Sequence, residues 1–376
     1  MCDAKRNILT RDYVLATDKV KKSGLSDSKV NFLFKTLERT FGHFYFPEDE
    51  SFSDPEMIHP IFWELIDSTG KGLVKLFNLC LEVSVIEEIL GHDEVLIRMK
   101  NPKQFNGARA EIYFGARLRT ATRNVSFVKT KINQKQPDYE INTGNYSFVV
   151  EVKGSSKTDY EIGLEMFEGF TRSGLNRLFP QNNLTRTVKL GELWLGGIAA
   201  VCSMNSKVEN CAWAIQSSIE SLASKAVSLI SDKIKNGFKA NQKNDYDIEI
   251  FTTSNIEETK DPFIIELPQA IRIASIGNII QKLTCPNNIE QLTNLGIFAF
   301  YTLYAINSMI AEILLNNIII QCPQLREKLL GIAIFNNEGI PPIFIHSPNS
   351  FPSELWFPNY FKEPVWNEKL GMAVLP

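Results

Sequence analysis

The sequence predicts an α/β protein: a mixed sheet flanked by helices, preceded by a mainly helical region and followed by an α+β one. Three observations predict it. Residues 1–100 carry apolar side chains at helical spacing, residues 101–254 run helix, three strands, helix and strand, and the remainder contains a hairpin. At 376 residues the chain is long enough for more than one domain. The expected division is 1–100, a helical scaffold or recognition region; 101–254, the α/β core; and 255–376, an α+β region with a docked Pro/aromatic tail.

Each element has a local reason. Phe32–Phe41, Ile61–Asp67 and Leu73–Leu90 space their apolar residues as helices do, with breaks around Pro47–Pro60 and Gly91–Asp93. Ala108–Thr122 reads as a helix, and Val125–Ile132, Asp138–Thr143 and Tyr146–Lys153 read as strands. Asp159–Phe179 is helical or irregular. Leu193–Cys202 resembles a buried strand, Ala212–Ile234 an amphipathic helix, and Asp247–Thr253 a strand. Beyond residue 255 the chain opens with helical stretches and includes an apolar helix over Leu295–Ile320. A hairpin follows, Leu329–Phe335 with Ile343–His346, around Asn337-Glu338-Gly339. The last 36 residues hold seven of the 17 prolines, with Phe351, Trp356, Phe357, Tyr360, Phe361 and Trp366 between them. Disordered tails are poor in aromatic residues, so this one is expected to dock on its own domain; a homodimer or partner interface in the C-terminal region is the lesser expectation.

Composition excludes several classes. Six scattered cysteines form no C-x-x-C pair, and the four histidines are far apart, so no zinc site is expected. The first 20 residues lack an apolar core for a signal peptide, and Leu295–Ile320 contains Asn307, Glu312, Asn316 and Asn317, each costly in hydrocarbon. A cytoplasmic protein with reduced thiols and no membrane span is the expectation. Net charge is only −3, but its distribution is uneven. Residues 101–160 carry 10 basic against 5 acidic side chains in a chain that is otherwise acidic. That local surplus, including Arg109, Arg117, Arg119, Arg123, Lys129, Lys131 and Lys135, suits phosphate contacts.

The chemistry concentrates in Gln136-Pro137-Asp138-Tyr139 and Val150-Glu151-Val152-Lys153-Gly154. Strand alternation puts Glu151 and Lys153 on one face and Phe148, Val150 and Val152 on the other. Gly144-Asn145 is a good two-residue hairpin loop. With that loop Thr143 pairs with Tyr146, and Asp138 falls directly opposite Glu151, close enough for both carboxylates to grip one cation. A four-residue loop, Asn142–Asn145, would move the partner to Val149, diagonal to Glu151. A three-residue loop would turn Asp138 to the wrong face. Two carboxylates this close repel, and a divalent ion resolves the conflict. Glu140 is a rival ligand, further from Lys153. Glu111 is the third acid: it lies on a helix stripe with Ala108, Gly115 and Leu118 that is otherwise small or apolar, where a carboxylate is costly unless paired or metal-bound.

A helix with Glu111, a strand beginning at Pro137-Asp138 and a strand ending in Glu151-Val152-Lys153 resemble the PD-(D/E)xK, or restriction endonuclease-like, superfamily over about residues 105–203. The resemblance implies a Mg²⁺-dependent endonuclease acting on DNA, with Mn²⁺ able to substitute, and a place in restriction or anti-phage defence. Catalytic roles then fall to Glu111, Asp138, Glu151 and Lys153, metal ligation to Asp138, Glu151, Glu111 and the carbonyl of Val152, and phosphate contacts to Arg109, Arg117 and Lys157. The alternative is a catalytically silent nuclease-fold subunit that binds DNA or a partner.

Overall fold

The computed structural model describes residues 14, 17–42, 59–67, 70–128, 136–144, 146–154, 159–180, 185–205, 211–236, 247–253, 263–266, 270–302, 306, 308–336, 341–347 and 357–374. It is a mixed α/β protein of two compact units: residues 1–156 with 278–376, and residues 157–277 inserted between them. Among the described residues no helix is long and apolar enough to cross a membrane.

The first unit begins with helices α1 (Lys19–Ser23), α2 (Asp27–Phe41), α3 (Pro60–Ile66), α4 (Lys71–Ile86), α5 (Asp93–Met99) and α6 (Phe105–Ala121). The helical spacing expected over Phe32–Phe41 falls within α2, which buries Val30, Leu33, Phe34 and Leu37. Its sheet has six strands in the order β1 (Val125–Phe127), β2 (Tyr139–Asn142), β3 (Ser147–Gly154), β7 (Gly296–Thr302), β8 (Leu329–Asn336) and β9 (Ile343–His346). The β1–β2, β2–β3 and β8–β9 pairs are antiparallel; β3–β7 and β7–β8 are parallel. Helices α12 (Ser308–Gln321) and α13 (Pro323–Lys328) lie in the crossover between β7 and β8.

The second unit pairs a three-stranded sheet, β5 (Ile248–Thr253), β4 (Thr185–Leu190) and β6 (Phe263–Glu266), with helices α7 (Asp159–Leu178), α8 (Glu192–Asn205) and α9 (Cys211–Lys235). It has its own core, including Leu164, Phe167, Trp194, Ile198, Ile219 and Ile250. The chain returns through α10 (Ala270–Thr284) and α11 (Pro286–Gln291) to β7.

Three expectations need correction. The division at residues 100 and 254 is replaced, because one core joins the N-terminal helices, the strands around Val150 and Ala299, and the tail residue Phe361. The sequence around residue 160 is where the chain leaves for a second unit. Leu193–Cys202 is a helix and not a strand: Trp194, Leu195, Ile198 and Cys202 are buried at helical spacing while Leu193 is exposed. Apolar residues all round hid that period, and the Asp247 carboxylate caps the helix start by accepting from Leu193 N–H at 3.2 Å. Leu295–Ile320 is a strand followed by a helix. Strand β7 is buried on both faces, so it lacks the alternation that identifies an ordinary strand.

The described part of the tail packs on the first unit. Trp366 stacks against Phe32 and Phe77, and Phe361 against Phe114, Phe335 and Phe344. Strands β10 (Val365–Asn367) and β11 (Met372–Val374) close it with a small hairpin.

Candidate active site

The site is built on the hairpin β2–β3. Tyr139 pairs with Val150, Glu140 with Val149, Ile141 with Phe148 and Asn142 with Ser147. This is the register of the two-residue loop. Thr143 N–H donates to the Tyr146 carbonyl at 2.8 Å, and Gly144 takes φ +87°, open to glycine and strained for other residues. Asn145 lies outside the described residues. One step beyond Tyr139–Val150 the same register puts Asp138 beside Glu151, and Asp138 Oδ2 accepts the Val152 N–H at 2.7 Å.

Helix α6 brings the third carboxylate. The Tyr139 hydroxyl, fully buried, donates to the carbonyl of Glu111 at 2.6 Å. It can do so because residue 115 is glycine: a Cβ there would overlap the Tyr139 ring hydroxyl and Ile86. The residue next to Asp138 therefore pins the stretch of helix that carries Glu111. The charges of Glu111 and Glu151 both act on Asp138, and that of Glu111 acts on Glu151.

Strand β3 is interior, so Glu151 and Lys153 are not an ion pair on an exposed edge. Their partners on β7 are Phe298 and Phe300, both buried. Glu151 is only 2% exposed. Burial pushes its carboxyl up to about 7 against the opposing pull of Lys153. Asp138 keeps part of its surface open but is crowded by protein atoms. That burial, then the charges of Glu151 and Glu111, raise its carboxyl well above the usual carboxylate range. Lys153 Nζ donates to Glu151 Oε1 and, at 2.9 Å, to Gln291 Oε1 on α11. Glu151 Oε2 is buried with no hydrogen-bond partner.

Two residues here were not singled out by sequence reasoning. Arg98, on α5, makes a bidentate ion pair with both oxygens of Glu111 while its own side chain stays 39% exposed. Gln291 is the other. Arg98 lies on the helix before that of Glu111, 13 residues away, and Gln291 lies 138 residues after Lys153, so neither pairing follows from spacing within one element.

The expected phosphate contacts separate. Arg117 is 5% exposed, ion-paired to Glu82 at 3.0 Å and Glu363 at 3.3 Å, and stacked 3.3 Å from the centroid of the Tyr113 ring. It is committed to the interior, which corrects its assignment as a backbone contact. Arg109 is half-buried and hydrogen-bonded to the Tyr301 side chain. Arg119 pairs with Glu88 at 2.8 Å, whereas Arg123 is exposed. Lys157, with Lys129, Lys131 and Lys135, lies outside the described residues.

The donor set suits a hard divalent cation: carboxylate oxygens, one of them orphaned and buried, and two carboxyls driven toward protonation, first of all by burial. Among the described residues no group of three or more acidic, His or Cys side chains stands as a ready-made metal cage. Arg98 holds both oxygens of Glu111, and Val152 N–H holds Oδ2 of Asp138. No family model, no curated protein and no solved structure matches the chain.

Proposed function

We propose that this chain is a metal-dependent endonuclease of the PD-(D/E)xK type that hydrolyses DNA phosphodiester bonds in the cytoplasm, as part of restriction or anti-phage defence. One observation carries the reading: the hairpin register that sets Asp138 beside Glu151, with Lys153 on the same strand and Glu111 within electrostatic reach. The mixed sheet flanked by helices supports a restriction endonuclease-like fold. The defence role rests on the analogy of large regions flanking a small core.

Asp138, Glu151, the Val152 carbonyl and Glu111 would hold Mg²⁺ or Mn²⁺. Such an ion, when bound, acidifies a water and offsets charge on the phosphate. The chain's own residues do the rest. Lys153 has three donors and spends two on Glu151 and Gln291, leaving one to orient an attacking water or to meet the charge that develops on the phosphate. Phe298 and Phe300 keep water from the inner side of Glu151, which strengthens every charge interaction there. Arg98 orients Glu111 and keeps an exposed edge toward solvent.

A second reading is favoured by the protein donors that already hold Glu111 and Asp138 Oδ2: a silent nuclease-fold subunit that binds DNA or a partner without cutting. Incubating plasmid, linear duplex and single-stranded DNA with the purified chain separates the two. Cleavage that appears with Mg²⁺ or Mn²⁺ and stops with EDTA supports the nuclease. DNA binding that responds to salt alone, without cutting under either ion, removes it.

A further inference from the structure

We infer that Gln291 is a positioning residue for Lys153, and the inference rests on the reading of Lys153 as the working lysine of the site. An ammonium group has only donors, so the Gln291 amide must present its oxygen to Lys153 Nζ, as it does at 2.9 Å. Lys153 is thus held between two acceptors of different kind, the Glu151 carboxylate two residues before it and a neutral amide 138 residues after it. The neutrality matters. Asp138, Glu151 and Glu111 already overload this place with negative charge, and a further carboxylate would neutralise the lysine that the site needs charged. A neutral acceptor fixes the direction of the ammonium without spending its charge.

Gln291 is itself held in place. It ends α11, the short helix that follows α10 on the return to the first unit. Lys282 of α10 donates to the carbonyl of Gly154 at 2.5 Å, one residue past Lys153, and Asn288 Nδ2 donates to the carbonyl of Lys282 at 2.7 Å. The returning segment is therefore tied to the end of β3 through Lys282, and Asn288 ties the short helix that ends at Gln291 back to that anchor. A lysine with a long flexible stem gains most from such a second anchor, because its rotamers are otherwise many.

The test compares Gln291→Met, similar in size but without the amide oxygen, with Gln291→Glu, which keeps an acceptor. The motion of the Lys153 ammonium is followed by NMR on lysine labelled with nitrogen-15, its signal assigned by its loss in Lys153→Ala. Gln291→Met should leave Lys153 mobile and lower kcat for Mg²⁺-dependent cleavage by about tenfold to a hundredfold, with KM for DNA unchanged. Gln291→Glu should keep Lys153 ordered. Lys153 as ordered in Gln291→Met as in the wild type would overturn the inference. If the wild-type chain cuts no DNA, the nuclease reading fails while the NMR comparison still decides the role of Gln291.

Discussion

Helix α6 carries two buried charges six residues apart, and they have opposite fates. Arg117 lies between Glu82 and Glu363 with its guanidinium over the Tyr113 ring, so one cation answers two acids and an aromatic face. Glu111 lies near two further carboxylates, and the cations at hand are Arg98, half in solvent, and Lys153. In the first cluster both acids are ion-paired to the one guanidinium, which holds the helix, α4 and the tail together. In the second the carboxyls of Asp138 and Glu151 are raised, first by burial and then, at Asp138, by the neighbouring carboxylates, and Glu151 Oε2 has no partner. Both charges are buried; what sets them apart is the meeting of three carboxylates near Glu111 against two acids shared by one guanidinium at Arg117.

The largest test of that contrast is to remove a charge from each cluster. Lys153→Ala should lower Mg²⁺-dependent cleavage on the order of 10²–10³-fold while the chain stays folded, and a plasmid digest checks it. Arg117→Met should do the reverse. It leaves Glu82 buried without its partner and should cost about 3–5 kcal/mol in urea unfolding, with cleavage by the remaining folded protein unchanged. Equal loss of cleavage in both variants would break the comparison.

A pH series sharpens it. The folded Glu151 carboxyl, at about 7, lies above its unfolded value of 4.5, so the unfolded chain gives up its proton first. Stability without added metal should therefore fall as pH rises from about 4.5 to 7, by up to about 3 kcal/mol from this one group. Glu151→Gln should flatten that slope, and melting temperatures of the two proteins across the window measure the difference. Mg²⁺ at a hundred times its Kd should restore about 2.7 kcal/mol at neutral pH to the wild type and to Arg117→Met but not to Glu151→Gln. The smallest effect belongs to Tyr139→Phe. Losing the bond to the Glu111 carbonyl should cost about 1 kcal/mol in unfolding and little in cleavage if Gly115 still lets the ring seat.

Much of the candidate site is legible in the sequence. Gly144-Asn145 specifies a tight turn through local backbone chemistry, and period-two alternation then carries the register to Asp138 and Glu151 without further information. Glu111 was legible as a carboxylate on a stripe that should have been apolar. Arg117 was misread because its sequence neighbours give the same impression as Arg109: a basic residue in a basic stretch. Its acceptors, Glu82 and Glu363, lie 35 residues before it and 246 after it. Strand β7 was misread because burial on both faces erases the pattern that marks a strand.

What the amino-acid sequence by itself determined was therefore the hairpin, the pairing across it and the lone carboxylate on one small and apolar helix stripe. All three follow from interactions within a few residues or within one turn. The tertiary structure alone decided that a second unit interrupts the chain after β3, that β7 sits beside the Glu-x-Lys strand, and that Arg98 and Gln291 take hold of Glu111 and Lys153. Those contacts join separate elements, 13 residues apart at Arg98–Glu111 and 138 at Lys153–Gln291. Their formation depends on which surfaces the whole core buries, and no local pattern encodes that.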